Sequence, residues 1–182
     1  MASAWTRSLW TDAGLLASDM EPDAEVPEGA RGVAPHEWHA TLVAGGKWAE
    51  AISFLAHALP RYECVVWATR ALLEAGAIER SSPATVAVLR WIDGPSDQLR
   101  REVNDAVQGL RNGSAAKMLG QAVFYSGGSV APPDMPHVQV PTQACARMIT
   151  AALVVGLLKD GNRMEPLQRA LRLGEQIAAG QG

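Results

Sequence analysis

A chain of 182 residues with 48% apolar side chains is long enough to bury one sizeable core. Its formal charge of −3 is uneven: residues 1–34 carry six acids and two bases, and residues 35–182 carry thirteen acids and fourteen bases. So neutral a body excludes nucleic acid as the main ligand, and two isolated cysteines, Cys64 and Cys145, exclude both a disulfide framework and a thiolate metal cluster.

Residues 1–34 read as an acidic, partly disordered tail ahead of an all-helical domain at 35–182. The segment 20–31, MEPDAEVPEGAR, holds two prolines and few large apolar side chains, which predicts mobility. Before it, Trp5, Leu9, Trp10, Leu15 and Leu16 can form a short amphipathic turn. The tail is then either a free end or a segment that docks its tryptophans on the body or on a partner. A basic region followed by a continuous apolar run is lacking, so a signal peptide is not expected and a reducing, cytoplasmic setting is.

The body reads as one helix after another. Residues 36–43 follow Pro35 and stop at Gly45-Gly46; residues 47–59 set Trp48, Ile52, Leu55 and Leu59 on one face. Pro60 breaks the chain and opens 61–75, where Cys64, Trp67, Ala68, Ala71 and Leu72 share a stripe, Arg70 can pair with Glu74 outside, and Gly76 ends the helix. Ser82 and Pro83 start 82–93, with Val86, Leu89 and Ile92 inward. Next comes the clearest amphipathic pattern, Leu99, Val103, Ala106, Val107 and Leu110 opposite Arg101, Glu102, Asp105 and Gln108. After Asn112-Gly113, Ser114 caps a helix to residue 125. Thr142 is placed to cap 143–159, which is apolar nearly all round and so belongs in the middle of a bundle. Its apolar run, 148–158, is too short to cross a bilayer, so no membrane insertion is expected. Residues 164–179 close the chain, with Leu167, Ala170, Leu171, Gly174 and Ile177 inward. The expected fold class is all-α, one antiparallel helical bundle or short stack of helix pairs, with Trp38, Trp48, Trp67 and Trp91 as core anchors.

The exception is residues 124–141, FYSGGSVAPPDMPHVQVP, whose two glycines and four prolines bar a helix or a central strand. A connection this long inside a domain is usually functional or disordered. Its apolar side chains predict a segment packed on a surface, with Tyr125 and Val130 holding the first half and 132–137 accessible. Ser129, Val130, Pro132, Pro133, Asp134, Met135 and His137 are the candidate partner-binding residues.

Catalytic patterns are not evident. His36-Glu37-Trp38-His39 puts two histidines three apart rather than at zinc-protease spacing, and lacks an obvious third ligand. Cys64 or Cys145 with His57 would make a nucleophile and base, but no local motif supports the pairing. Ser126-Gly127-Gly128-Ser129 lacks the spacing and the lysine of a phosphate loop and reads as a helix end followed by a tight turn. No catalytic, cofactor-binding or metal-binding residue is assigned, and no cofactor is expected.

Three blocks, FLAHALPRYECVVWATRALLE at 54–74, WIDGPSDQLRRE at 91–102 and FYSGGSVAPPDMPHV at 124–138, resemble an uncharacterised bacterial family of small all-helical proteins. Their order matches, as does the alanine-rich helix after the loop, and the resemblance runs over about residues 35–180. Members of that family look like companions of type VI secretion genes. The resemblance therefore implies a non-enzymatic, cytoplasmic adaptor or chaperone-like accessory protein that binds a secretion component, effector or toxin. The alternative is an immunity protein that neutralises a secreted toxin, with the acidic tail over a basic active site; a small enzyme is a third reading. Leu59-Pro60, Trp67, Trp91, Pro95 and the loop from Ser126 to Pro133 are the positions that carry over, and each has an architectural reading.

Overall fold

The computed structural model describes residues 4–158 and 164–181. Among them are nine helices: α1 Ala13–Met20, α2 Pro35–Ala44, α3 Trp48–Ala58, α4 Arg61–Glu74, α5 Pro83–Asp93, α6 Asp97–Val107, α7 Ala115–Phe124, α8 Ala144–Leu157 and α9 Met164–Ala178. The fold is all-α, and the only β pairing among the described residues is an isolated antiparallel bridge, Ser129 to Gln139.

Local chemistry sets most boundaries. Hydroxyls of Ser82, Ser96 and Ser114 accept from the backbone N–H of Thr85, Leu99 and Lys117, each satisfying an orphan donor of a first turn. Helix α4 ends on Gly76, whose φ of +66° lets Ala77 N–H donate to the Leu72 carbonyl while Gly76 N–H donates to Leu73. Thr142 does not cap α8. The residue before the helix, Gln143, already has helical φ and ψ of −80° and −11°, and Ala144 N–H donates to the Pro141 carbonyl at 3.0 Å, so Thr142 stands outside the extended cap position.

Helix α8 is the centre of the packing, lying against α3, α4 and α7. It buries Cys145, Ile149, Ala152 and Leu153 among others, which is what apolar residues on several faces require. Helix α9 covers α3 and α4. Of the four expected tryptophan anchors, Trp67 is 0% exposed and Trp91 5%, whereas Trp38 and Trp48 are half-buried at the edge of the core. Helix α5 is also rotated from its expected face: Ala84, Thr85, Val88 and Trp91 point inward and Val86 is 43% exposed, which puts the large indole of Trp91 into the core and leaves Leu89 and Ile92 half-buried. Arg70 and Glu74 form no ion pair among the described residues.

Gly174 on α9 lets two helices approach. A Cβ there would sit 2.6 Å from Leu55 Cδ2 and 2.7 Å from Trp67 Cε2. Gly174→Ala should therefore lower the urea midpoint, with overpacking of about 1–3 kcal/mol outweighing a helix-propensity gain of about 1 kcal/mol. A raised midpoint would show that propensity wins.

Residues 4–34 lie against this body. Arg7 N–H donates to the Ala178 carbonyl at 2.9 Å, the ring of Trp5 is 5.2 Å from that of His39, and Leu16 is completely buried. The Asp12 carboxylate caps α1 through Leu15 N–H at 3.0 Å and also accepts from Gly32 N–H at 2.7 Å, which closes the acidic stretch into a loop. Backbone N–H donors from Leu15 and Gly32 hold that carboxyl below the usual carboxylate range. Within 20–31, Ala30 is buried, and most of the other side chains are exposed.

Candidate functional site

The loop between α7 and α8 starts from the last turn of α7, where Tyr125 packs on the core and Ser126 N–H donates to Val123. Gly128 then takes φ +67°, and a Cβ on it would meet Asp97 Oδ1 at 2.8 Å and Arg100 Nη2 at 3.0 Å. Only glycine combines that backbone with that approach. The Ser-Gly-Gly-Ser segment thus folds down onto the start of α6.

What it folds onto is Arg100, 3% exposed and surrounded by acceptors. Its guanidinium donates to the carbonyls of Phe124 and Ser129 and to Asp97 Oδ1, and its Cζ lies 4.7 Å from the Phe124 ring centroid. Arg101 donates to the carbonyls of Ser129 and Ala131 at 3.1 and 3.0 Å, and to Asp97 Oδ2 at 2.9 Å. Hydrogen bonds from Arg101 first, and then Arg100, hold the Asp97 carboxyl below its usual range. From the other side, Arg61 at the start of α4 donates to the carbonyls of Ser126 and Thr142 at 3.2 and 3.4 Å. Planar guanidinium forks suit this task, because each ties two carbonyls of an irregular chain at once.

Beyond the clamp the chain pinches. Ser129 Oγ accepts from Ala131 and Val138 N–H, Val130 N–H donates to the Val138 carbonyl at 3.0 Å, and Val140 returns to the core at 8% exposure. Between the arms, Met135 N–H donates to Pro132 in a tight turn. The candidate residues divide accordingly. Ser129 and Val130 are half-buried at the pinch, while Pro132, Pro133, Asp134, Met135 and His137 are exposed at the tip. Met135 is 58% and Val138 50% exposed, so the tip presents apolar groups to solvent. Arg100 and Arg101 were missed as site residues. A signal existed for Arg100, which shares a stripe with Val103 and Val107 at helical spacing.

The other chemistry-bearing residues are placed as follows. His39 is buried, with Nδ1 3.1 Å from Glu175 Oε1 in an alignment too poor for a hydrogen bond, and His36 is only half-buried. Among the described residues no three His, Cys, Asp or Glu side chains gather as a metal set. Cys64, Cys145 and His57 do come together, on a small cavity of about 80 Å³ shared with Arg61. Their chemistry runs against nucleophilic attack. Burial pushes the Cys145 thiol up to about 12 and Cys64 well above its usual value, and burial lowers His57, whose Nδ1 lies 2.7 Å from the Ser53 carbonyl. Both thiols stay protonated at neutral pH, and a thiol is a poor nucleophile.

No curated protein and no solved structure matches the chain. Residues 38–178, most of the chain and all three of the blocks above, match the family of unknown function DUF6931, and the chain belongs to that family.

Proposed function

We propose that this protein is a non-enzymatic adaptor or chaperone-like accessory protein of the cytoplasm that binds a protein partner through the tip of the α7–α8 loop. The observation that carries the reading is an exposed apolar tip, Met135 and Val138, held out on a pinch that arginine clamps to a helical scaffold. Presenting a preorganised loop lowers the ordering cost of binding, and methionine adapts to an irregular partner surface. A component or effector of a type VI secretion system is the partner class that the resemblance of the three blocks favours.

A second reading, immunity against a secreted toxin, is favoured by the exposed acids between residues 20 and 28, which could face a basic active site. A toxin domain that co-purifies with the chain and loses activity in the complex would select it.

The test is the double substitution Met135→Ala with His137→Ala. Both side chains are exposed, so thermal stability should change by no more than about 0.5 kcal/mol. Binding to the partner, identified by affinity purification of the tagged chain from its native host, should weaken about tenfold or more, as for loss of interface anchors. Unaltered binding together with a clear loss of stability would make the loop a structural strap.

A further inference from the structure

A second surface shares no lining residue with the loop. The acidic stretch after α1 stands off the α2–α3 pair and leaves a groove of about 490 Å³ between them. The floor is apolar and partly aromatic, made by Met20, Trp38, Leu42 and Phe54. The rim is acidic, with Glu21, Glu25 and Glu28 on the stretch and Glu50 on α3. One cation lines it, Lys47, and Glu50 already takes that at 3.3 Å. Glu21, Glu25 and Glu28 form no ion pair among the described residues.

The acidic wall is pinned at both ends. Gln143 donates to the Asp19 carbonyl at 3.0 Å and Arg147 to the Met20 carbonyl at 3.2 Å, while Asp12 holds Gly32 at the far end. The groove is thus built from three separate parts of the chain rather than from loose residues at a tail.

We infer that this groove binds a basic amphipathic peptide segment of a partner protein, one that alternates lysine or arginine with large apolar side chains. Charge complementarity names the occupant. Lys and Arg lay an aliphatic stem along apolar surface and keep the charged head at the rim, and a cation beside Trp38 gains from its ring face. A purely apolar ligand would strip water from the glutamates without replacing their hydration. A small amine would meet one carboxylate, whereas the acids are spread along the stretch and a peptide can engage several. The inference extends the protein-binding reading to a second surface, and the loop variant Met135→Ala with His137→Ala serves to tell the two surfaces apart.

The experiment is selection of a random twelve-residue phage-displayed peptide library on the full chain. Counter-selection uses the triple variant Glu21→Lys, Glu25→Lys, Glu28→Lys and, as a milder control, the triple Gln variant. All three sites are exposed, so both variants should melt with the wild type. Enriched peptides should be net positive with interspersed Leu, Met, Phe or Trp, and a selected peptide should bind the Lys variant about tenfold or more weakly, since rim charges set encounter and register. Binding should fall with added salt, and spermidine should compete only weakly. No enrichment, neutral or acidic winners, equal binding to the Lys variant, or displacement by micromolar spermidine would each overturn the inference. Loss of binding in Met135→Ala with His137→Ala alone would put the peptide on the loop and overturn it as well.

Discussion

Trp67→Ala should destabilise the domain by about 3–5 kcal/mol, the range for removing a fully buried large aromatic side chain. The indole is 0% exposed, and its Nε1 donates to the Ala170 carbonyl on α9 at 2.7 Å. It also fills the space over Gly174, so truncation opens a void between α4 and α9 that the helix backbones cannot close. Trp67→Phe keeps most of the apolar bulk and loses the donor, and should cost less than the alanine variant. Urea unfolding measures both, and wild-type stability in the alanine variant would mean that the α4–α9 contact is not formed. Because Trp67 and Gly174 touch, Trp67→Ala with Gly174→Ala should not be additive: the methyl that clashes in the wild type occupies part of the void.

Arg100→Met should cost about 1–3 kcal/mol, because it leaves the Phe124 carbonyl without its donor and the Ser129 carbonyl with Arg101 alone. Methionine fills the channel beside Phe124, so the loss reports the guanidinium rather than a cavity. Arg100→Lys should recover little, because an ammonium cannot fork between two carbonyls and a carboxylate. Hydrogen exchange separates this from a general loss of stability: the amides of Ala131 and Val138, which depend on Ser129 staying in place, should lose protection before those of α8 do. Protection at Ala131 and Val138 equal to the wild type would show that the pinch stands without the clamp. The pH dependence follows from Asp97. Its folded-state pKa is depressed, so its contribution is present above the ordinary carboxylate pKa and is lost as pH falls through the lowered folded value. The clamp should hold at neutral pH and weaken only in acid.

The Arg100 result bears on the loop's function. If Arg100→Met releases the loop and also weakens partner binding, while Met135→Ala with His137→Ala weakens binding alone, then the arginine positions the loop and the tip makes the contact. That pattern separates scaffold from surface in a way neither variant can do by itself.

Much of the architecture was legible in the residues. Proline and glycine at Pro60, Gly76, Pro83, Pro95 and Gly113 punctuate the chain where the helices stop and start, because these residues act on backbone geometry within a few positions of themselves. The apolar residues on several faces of 143–159 foretold a central helix, and α8 does pack against α3, α4 and α7. The four prolines of 124–141 marked the long α7–α8 connection for the same local reason. Tertiary packing decided the rest. Alanine-rich helices carry several competing stripes, so the rotation of α5 waited on where Trp91 could bury its ring. The burial of Arg100 depends on carbonyls 24 and 29 residues away, and the partner of Trp67 lies 103 residues along the chain. The groove under the acidic stretch depends on Asp12 reaching Gly32 and on Gln143 reaching Asp19, contacts 20 and 124 residues apart. Periodicity reports the phase of one helix and turn residues report one bend, but a site assembled from distant segments exists only once their surfaces have met.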